Sequence, residues 1–577
     1  MSQDFQKVLV KDDRLMVTDS VRYAVMKGGS NVTSSQYNAI GSSPFASNIN
    51  FNIQVPSQET IVSRQVLLNT TLSFTITASL AAGYAGPAAG VIFDYGGLDG
   101  FGPFPFHQMV NSTQWTINNN TISQNTRDLL AVLCRIHDKR YLHRYNGMTP
   151  TMFDSYGNYA TIPVGATNHP HLGFQGMSLD NDLSPRSTLP VTITGDNFIT
   201  YAGARTATIA VKVEVTEPVL ISPFIFAGDE GQGMYGIQNL NAVYNLSSQA
   251  NTAVRFSQIA GRYATGTTPV VTFVGAENPR LLFQFLTPHP SDLLPSRNVV
   301  PYYELPRFVS TTIPASVTSG STFTIPSASL QLNQIPDKLF ICVSKAVSQR
   351  TPFDADAFLA IESISMNWNN SSGLLASATP QDLWRMSVEN GINMSWVEFS
   401  GAANVKTSAT AQSSIQTCGS VLCLEFGKDI ELKDDYYAPG SLGNFQLQFN
   451  LTLKNTSGAT LTAPLQLLTI VQNSGVFSLE RGVSSSYLGI LTKSDVLEAS
   501  RGVAIAHTDA LRMVGGGKVG DFFKSIGSKL GDAGKSVLKE LLPIAKEAGV
   551  GLIKKRIGLG MSGGAKRDMG ALEDRMY

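Results

Sequence analysis

Charge is what this sequence has least of. Asp, Glu, Lys and Arg make up 15% of its 577 residues, where an ordinary soluble domain carries about 25%. A surface built from Asn, Thr, Ser and Gly in place of charge suits a chain that buries much of its outside against something else. Self-assembly is one such case, and a secreted, glycosylated or lectin-like protein is another. The 43 basic residues balance 43 acidic ones, which argues against a dedicated nucleic-acid binder. Cysteine is scarce too: Cys134, Cys342, Cys418 and Cys423. The last two are spaced too widely for a CxxC pair, so four buried free thiols in a reducing compartment are expected. No apolar run reaches the roughly 18 residues of a membrane-spanning helix. The opening "MSQDFQKVLVKDDRLMV" contains acids and lacks a long apolar core, so no signal peptide is expected there.

Signatures of chemistry are missing as well. There is no GxSxG, Walker A or HExxH pattern. "AGDEGQGMYG" lacks the Lys-Ser/Thr of a phosphate loop and reads as an inter-domain or outer loop. His169 and His171 in "NHPHLG" lie close together, but spacing places no third ligand beside them. Asp354 and Asp356 in "FDADAF" are two carboxylates without the further oxygens a hard cation needs. No catalytic residue, cofactor or metal is expected. The sequons at Asn69 and Asn111 are expected to stay unmodified.

What is present is alternation. "RQVLLNTTLSFTITASL" puts Val66, Leu68, Leu72, Phe74 and Ile76 on one side, and "RTATIAVKVEVTEPVL" does the same with Ala207, Ile209, Val211, Val213 and Val215. Many further short strands follow, broken by Gly, Pro and Asn. Helices are few: "TRDLLAVLCRI", and "TPQDLWRMSVENG" with Asp382 in its first turn and Gly391 just past its end. So many strands with so few helices predict an all-β protein of antiparallel sandwiches or jelly rolls. The expected domains are an N-terminal arm over 1–45, a first β-domain over 46–220 and a second over 221–490. The first boundary is set by Pro218 and Pro223.

The second domain carries a resemblance. "LQLNQIPDKLFICVSKA" and "FLAIESISMNWNNSSGLLASATPQDLWRMSVENGINMSWVEF" resemble the major capsid proteins of the Polinton, Polinton-like virus, adintovirus and virophage group. The quoted features are a strand entered through Ile-Pro-Asp-Lys-Leu, a following "I.S.S..WNN..G.L" strand, and a short helix with "Q.L...S..NG". "INFNIQVPSQETIVSRQVLL" resembles the group's opening strand and Pro-Ser turn. The resemblance spans about residues 45–485. It implies two tandem antiparallel eight-stranded jelly rolls, a double jelly roll of the adenovirus-hexon-like lineage. It also implies a homotrimer forming pseudo-hexameric capsomers of an icosahedral DNA-virus shell. The implied partners are neighbouring capsomers, penton and minor capsid proteins, and the implied location is the virion, reached through assembly in the host cell.

The C-terminus changes character. After a linker over 491–516 comes a basic amphipathic segment over 517–564 and a tail over 565–577. Phe522, Ile526, Leu530, Val537 and Leu541, with Phe523 beside them, give one apolar helix face among many lysines. Pro543 and several glycines interrupt it. Met26-Lys-Gly28-Gly29, Met513-Val-Gly515-Gly516 and Met561-Ser-Gly563-Gly564 resemble the substrate pattern of adenovirus-type cysteine proteases. That pattern implies a viral maturation protease cutting after Gly29, Gly516 and Gly564; a flexible hinge is the plain alternative. The released segment resembles the membrane-lytic part of the adenovirus cement protein. Internal cement and contact with packaged DNA through its lysines stand beside that reading.

Two other identities compete. A picorna-like RNA virus capsid precursor would need a cleavage site between the β-domains, and none is seen near residue 220. A carbohydrate-binding or glycosidase sandwich would need exposed aromatic rows or a paired acid set, and would leave the tail unexplained.

Overall fold

The computed structural model describes residues 32–489, except for 87, 96–98, 138–141, 143–144, 146–188, 200–202, 225–232, 258, 289–293, 313–315, 355–356, 407–411, 433–437 and 457–459. The expected linker, basic segment and tail lie outside the described residues. So do His169, His171, Asp356 and most of the "AGDEGQGMYG" loop.

The first half supplies β1 (Val32–Asn38), β2 (Asn48–Gln54), β3 (Ile61–Val62), β4 (Leu67–Leu80), β5 (Gly100–Phe101) and β6 (Val110–Ile117). It continues with β7 (Asn120–Gln124), β8 (Val191–Thr194), β9 (Arg205–Pro218), β10 (Asn239–Leu246), β11 (Val254–Arg255) and β12 (Val270–Leu286). One sheet runs β1-β12-β4-β9-β8 and the other β2-β10-β6-β7. Counting only the eight long strands, the orders are first-eighth-third-sixth and second-seventh-fourth-fifth, which is a jelly roll.

The second half supplies β13 (Asn298–Glu304), β14 (Arg307–Thr312), β15 (Thr322–Pro326), β16 (Leu330–Gln334), β17 (Lys338–Lys345), β18 (Ala360–Trp368) and β19 (Ser371–Leu374). Then come β20 (Ala402–Lys406), β21 (Gln412–Gln416), β22 (Val421–Glu425), β23 (Leu442–Lys454), β24 (Leu465–Glu480) and β25 (Val483–Leu488). β13 and β14 both pair with β24, which continues to β17 and β22, while β15 and β16 both pair with β23, which continues to β18 and β19. With the first and second strands each broken in two, the strand order repeats that of the first roll.

Two expectations are corrected here. The boundary at residue 220 falls inside the first roll, because β10 pairs with β2 and β6, and β12 pairs with β1 and β4. Pro218 and Pro223 punctuate the crossover into β10, not a link between domains. The segment 1–45 is not wholly an arm either, since β1 is the edge strand of the first sheet, in register with Arg280–Leu286.

The alternating residues behave as the pattern predicts. Val66, Leu68, Leu72, Phe74 and Ile76 are buried, as are Ile209, Val211, Val213 and Val215, and Ala207 packs against them half-buried. Trp115 sits at the centre with its ring 4.4 Å from that of Phe224. The same apolar cluster takes in Val300, Tyr302, Phe477 and Leu479 from the second half, so the two cores are continuous.

Of the helices, α1 (Pro105–Met109) and α2 (Thr126–Ile136) belong to the first roll, α3 (Pro380–Glu389) and α4 (Trp396–Phe399) to the second. α2 and α3 hold the same topological place, directly after the fifth strand of their rolls. α3 opens with a capping box between Thr379 and Asp382 and closes before Gly391 at φ +97°, the left-handed turn read from the sequence.

All four cysteines are free and buried. Burial pushes the thiols of Cys342, Cys418 and Cys423 up to about 12, away from the reactive thiolate. A thiol reagent such as Ellman's is therefore expected to label none of them in the folded protein at pH 8 and all four after unfolding. Rapid labelling of the native chain would contradict this burial.

Candidate assembly site at the seam of the two rolls

The described residues hold no constellation for catalysis, and no group of three or more His, Cys, Asp or Glu placed to share a metal. Asp354 accepts from Lys345 Nζ at 2.9 Å and from Thr351, so its carboxylate is occupied by protein donors. The cleavage candidates Met26, Gly28, Gly29, Met513, Gly515, Gly516, Met561, Gly563 and Gly564 lie outside the described residues. The same holds for the apolar face of Phe522, Phe523, Ile526, Leu530, Val537 and Leu541. What the structure does offer is a seam, where one jelly roll is built onto the other.

Three parts of the first roll make it. The turn between β6 and β7 reaches the C-terminal end of the second roll. Asn119 Oδ1 accepts Ser484 N–H at 3.0 Å, the Ser484 hydroxyl donates to Ile117 O at 2.5 Å, and Asn120 Nδ2 lies 3.4 Å from Ser486 Oγ. Gly482 N–H donates to Gly236 O at 3.0 Å. The second part is α2, which lies over β17 and β24. There Asp128 meets Arg307 at 3.0 Å, and the Arg135 guanidinium stands 5.6 Å from the Phe358 ring centre and donates to Cys418 Sγ at 3.8 Å. Gln108, Asp128 and Leu130 face Ser344, Gln466 and Leu468 across a small cavity. The third is the loop before β12. Phe256 N–H donates to Pro352 O at 2.8 Å, and the Tyr263 ring packs 5.6 Å from Phe353.

The sequence prepared the second roll for this cover. β17 reads KLFICVSK, with all six residues between its terminal lysines buried. An alternating strand has one wet face; a continuous apolar run has two dry ones. Phe340, Cys342 and Ser344 pair with Ile470, Leu468 and Gln466, and α2 faces the Ser344, Gln466 and Leu468 end of this second dry face.

Buried polar groups brace the first roll beside the seam, and one pair crosses it. Arg262 forks onto Asp99 with contacts of 2.8 and 2.6 Å, both side chains at 0% exposure. Burial disfavours the Arg262 charge, but the Asp99 carboxylate outweighs it and holds the guanidinium above its ordinary value. Glu217 accepts the N–H groups of Phe106 (2.8 Å) and His107 (3.0 Å) at the start of α1. Burial outweighs those two bonds and pushes its carboxyl up to about 8. Burial also pulls His107 down to about 4 and His137 to about 3. His137 Nε2 lies 2.9 Å from the Tyr303 hydroxyl, across the seam.

The outward faces of the sheets explain the low charge. On β2 the exposed residues are Asn48, Asn50, Asn52 and Gln54, and β10 and β6 continue the face with Asn241, Asn245, Gln114 and Thr116. The matching face of the second roll carries Gln331, Gln446, Gln448, Asn450 and Asn367. Charge gathers on the other sheet of the first roll, where Lys212 bridges to Glu277 at 2.7 Å.

Two family models match the chain: the Sputnik virophage major capsid protein first domain over residues 3–286, and the major capsid protein V20 C-terminal domain over 305–475. The first of these ends where β12 ends, past residue 220. The chain is 28% identical to the putative capsid protein V20 of Sputnik virophage, over 98% of this chain and 96% of that one. It is similar to a chain of the cryo-EM structure of the Sputnik virophage, with TM-score 0.69 and 25% identity over 88% of this chain and 98% of that chain. The mavirus major capsid protein shares the fold, with TM-score 0.67 at 15% identity over 86% of this chain and 98% of that chain.

Proposed function

The chain belongs to the family of virophage major capsid proteins, and from that premise we propose how it builds its particle. It is a structural protein of the virion, not an enzyme. Three copies join into a capsomer of pseudo-hexagonal outline, and these tile an icosahedral shell with neighbouring capsomers, penton and minor capsid proteins. The observation that carries this is the repeated strand order of two rolls locked through one seam. Two like sandwiches fixed at one angle, taken three times, supply six near-equivalent blocks around an axis. Uncharged outward faces suit surfaces that end in contact with other copies.

The basic segment over 517–564 is cargo on the shell protein. A maturation protease of the adenovirus type frees it by cutting after Gly516 and Gly564, and a further cut after Gly29 trims the N-terminus. Once free, its apolar face, from Phe522 to Leu541, enters a membrane interface while its lysines stay at the headgroups.

Two measurements test this. Native mass spectrometry of the recombinant chain at micromolar concentration is expected to give a trimer, and a monomer alone would remove the capsomer reading. Intact-mass analysis of purified particles is expected to give a chain ending at Gly516 and a separate peptide from Gly517 to Gly564. Only full-length chain in infectious particles would remove the maturation step and leave the shell role standing.

A further inference from the structure

The turn that docks the first roll onto the second occurs twice in this chain. In the first roll it is Ile117-Asn118-Asn119-Asn120, between β6 and β7. In the second it is Trp368-Asn369-Asn370-Ser371, between β18 and β19, the same pair of strands in the repeated order. The two turns are built alike. Asn118 and Asn369 both take the left-handed conformation, at φ +53° and +48°. Both bond to the neighbouring seventh strand of their sheet or the residue entering it. Asn118 N–H donates to Asn239 O at 2.7 Å and its Oδ1 accepts Gln238 N–H at 2.7 Å. Asn369 N–H donates to Gln446 O at 2.9 Å and its Oδ1 accepts Gln446 N–H at 2.8 Å.

They differ in what lies beyond them. The first turn is capped by the second roll, which buries Asn118 and uses Asn119, Asn120 and the carbonyl of Ile117 to hold Ser484 and Ser486. In the second, Asn369, Asn370 and Ser372 are exposed, and among the described residues none of them bonds to the first roll. Exposed apolar side chains lie on the helices that follow. Val388 on α3 is 41% exposed and Val397 on α4 48%, whereas α2, at the equivalent place in the first roll, is packed onto its neighbour.

We propose that the turn at Asn369–Asn370 is the docking element for a second copy of this chain. It would meet the first roll of that copy as the Asn118–Asn119 turn meets the second roll within one chain. Within one chain that turn is received by Ser484 and Ser486 of β25, which flanks the C-terminal end of β24. The strand in the same place in the first roll is β3, paired with Phe285 and Leu286 at the end of β12, and the loop before it exposes Pro56, Ser57 and Glu59. The receiving surface is then the end of β12 with that loop. The proposal rests on the trimer reading, and it says which residues close the ring.

Asn370→Arg puts a long charged side chain at the tip of an exposed turn, where the fold of one chain has room for it. With wild type trimeric in native mass spectrometry, the variant is expected to shift the monomer–trimer midpoint upward by about tenfold or more in concentration. Its unfolding midpoint should match that of the isolated wild-type monomer, and Ala210→Arg, exposed on the charged sheet of the first roll beside Lys212, should leave the trimer intact. A photo-crosslinker at position 370 is expected to capture the end of β12 or the loop before β3 of another chain. An unshifted Asn370→Arg trimer, or crosslinks to any other surface, would overturn the docking element while the trimer stands. A wild type that never leaves the monomer would instead remove the trimer reading beneath it.

Discussion

Replacing Asp99 with alanine is expected to lower the unfolding free energy by about 3–5 kcal/mol, the cost of leaving a buried charge without its partner. Asp99 does more than neutralise Arg262. Its Oδ1 also accepts Ser257 N–H at 3.0 Å and its Oδ2 accepts Asp94 N–H at 2.8 Å. Alanine therefore strands a guanidinium and two buried backbone donors together. Adding Arg262→Met removes the orphaned charge but not the stranded donors, each worth about 1–3 kcal/mol, so the double variant should recover only part of the loss. Urea unfolding of the two variants beside wild type measures this, and a single-variant loss below about 1 kcal/mol would contradict the geometry. The consequence reaches assembly. Arg262 is followed by Tyr263, which packs on Phe353 of the second roll, so loosening this loop loosens the seam.

Acid is expected to weaken the fold, and one residue should account for most of the effect between pH 6.5 and 5. His137 is buried, neutral and pulled down to about 3. Among the described residues its ring bonds to and stacks on Tyr303, whose hydroxyl is held above its ordinary value by burial, with the Arg64 charge pulling the other way. A depressed pKa means that the unfolded chain takes up a proton which the folded chain refuses. The stability it contributes is full above about 6.5 and is lost as pH falls towards 3, at about 1.4 kcal/mol per pH unit. His107 acts in the same sense down to about 4. Glu217 acts in the opposite sense, because a carboxyl raised to about 8 gains stability as pH falls from there towards its unfolded value near 4.5. In the window between 6.5 and 5 these two offset each other, leaving His137. His137→Phe should therefore flatten the dependence of stability on pH across this window, while costing stability at pH 7 through the lost Tyr303 bond. Urea midpoints at pH 7, 6 and 5 decide it, and an undiminished slope in the variant would contradict the assignment.

The strands were legible because alternation is a local signal. Val66 to Ile76 and Ile209 to Val215 declare a buried side without reference to anything distant. The helix after the second roll's fifth strand was legible for the same reason: its start and stop are written within a few residues, as in Asp382 and Gly391. The double jelly roll itself came from a string of short motifs that resemble a family, not from periodicity, which does not distinguish a jelly roll from other sandwiches.

The first-roll boundary was not legible. β10 and β12 follow two prolines and a Gly-rich loop, and read locally as a fresh start. Their partners, β2, β4 and β1, lie roughly 190 to 250 residues earlier in the chain. The seam was hidden in the same way. The Asn-Asn turns at 118–119 and 369–370 are visible in the sequence as turns, and the apolar run of β17 is visible as a strand dry on both faces. The sequence alone determined where this chain turns, alternates and gathers its basic residues. Tertiary structure alone decided that one Asn-Asn turn is covered by its own chain while the other stays open. The reason is physical: hydrogen bonds and apolar contacts across the seam join residues hundreds of positions apart, and a one-dimensional pattern records the preferences of each side without recording the pairing.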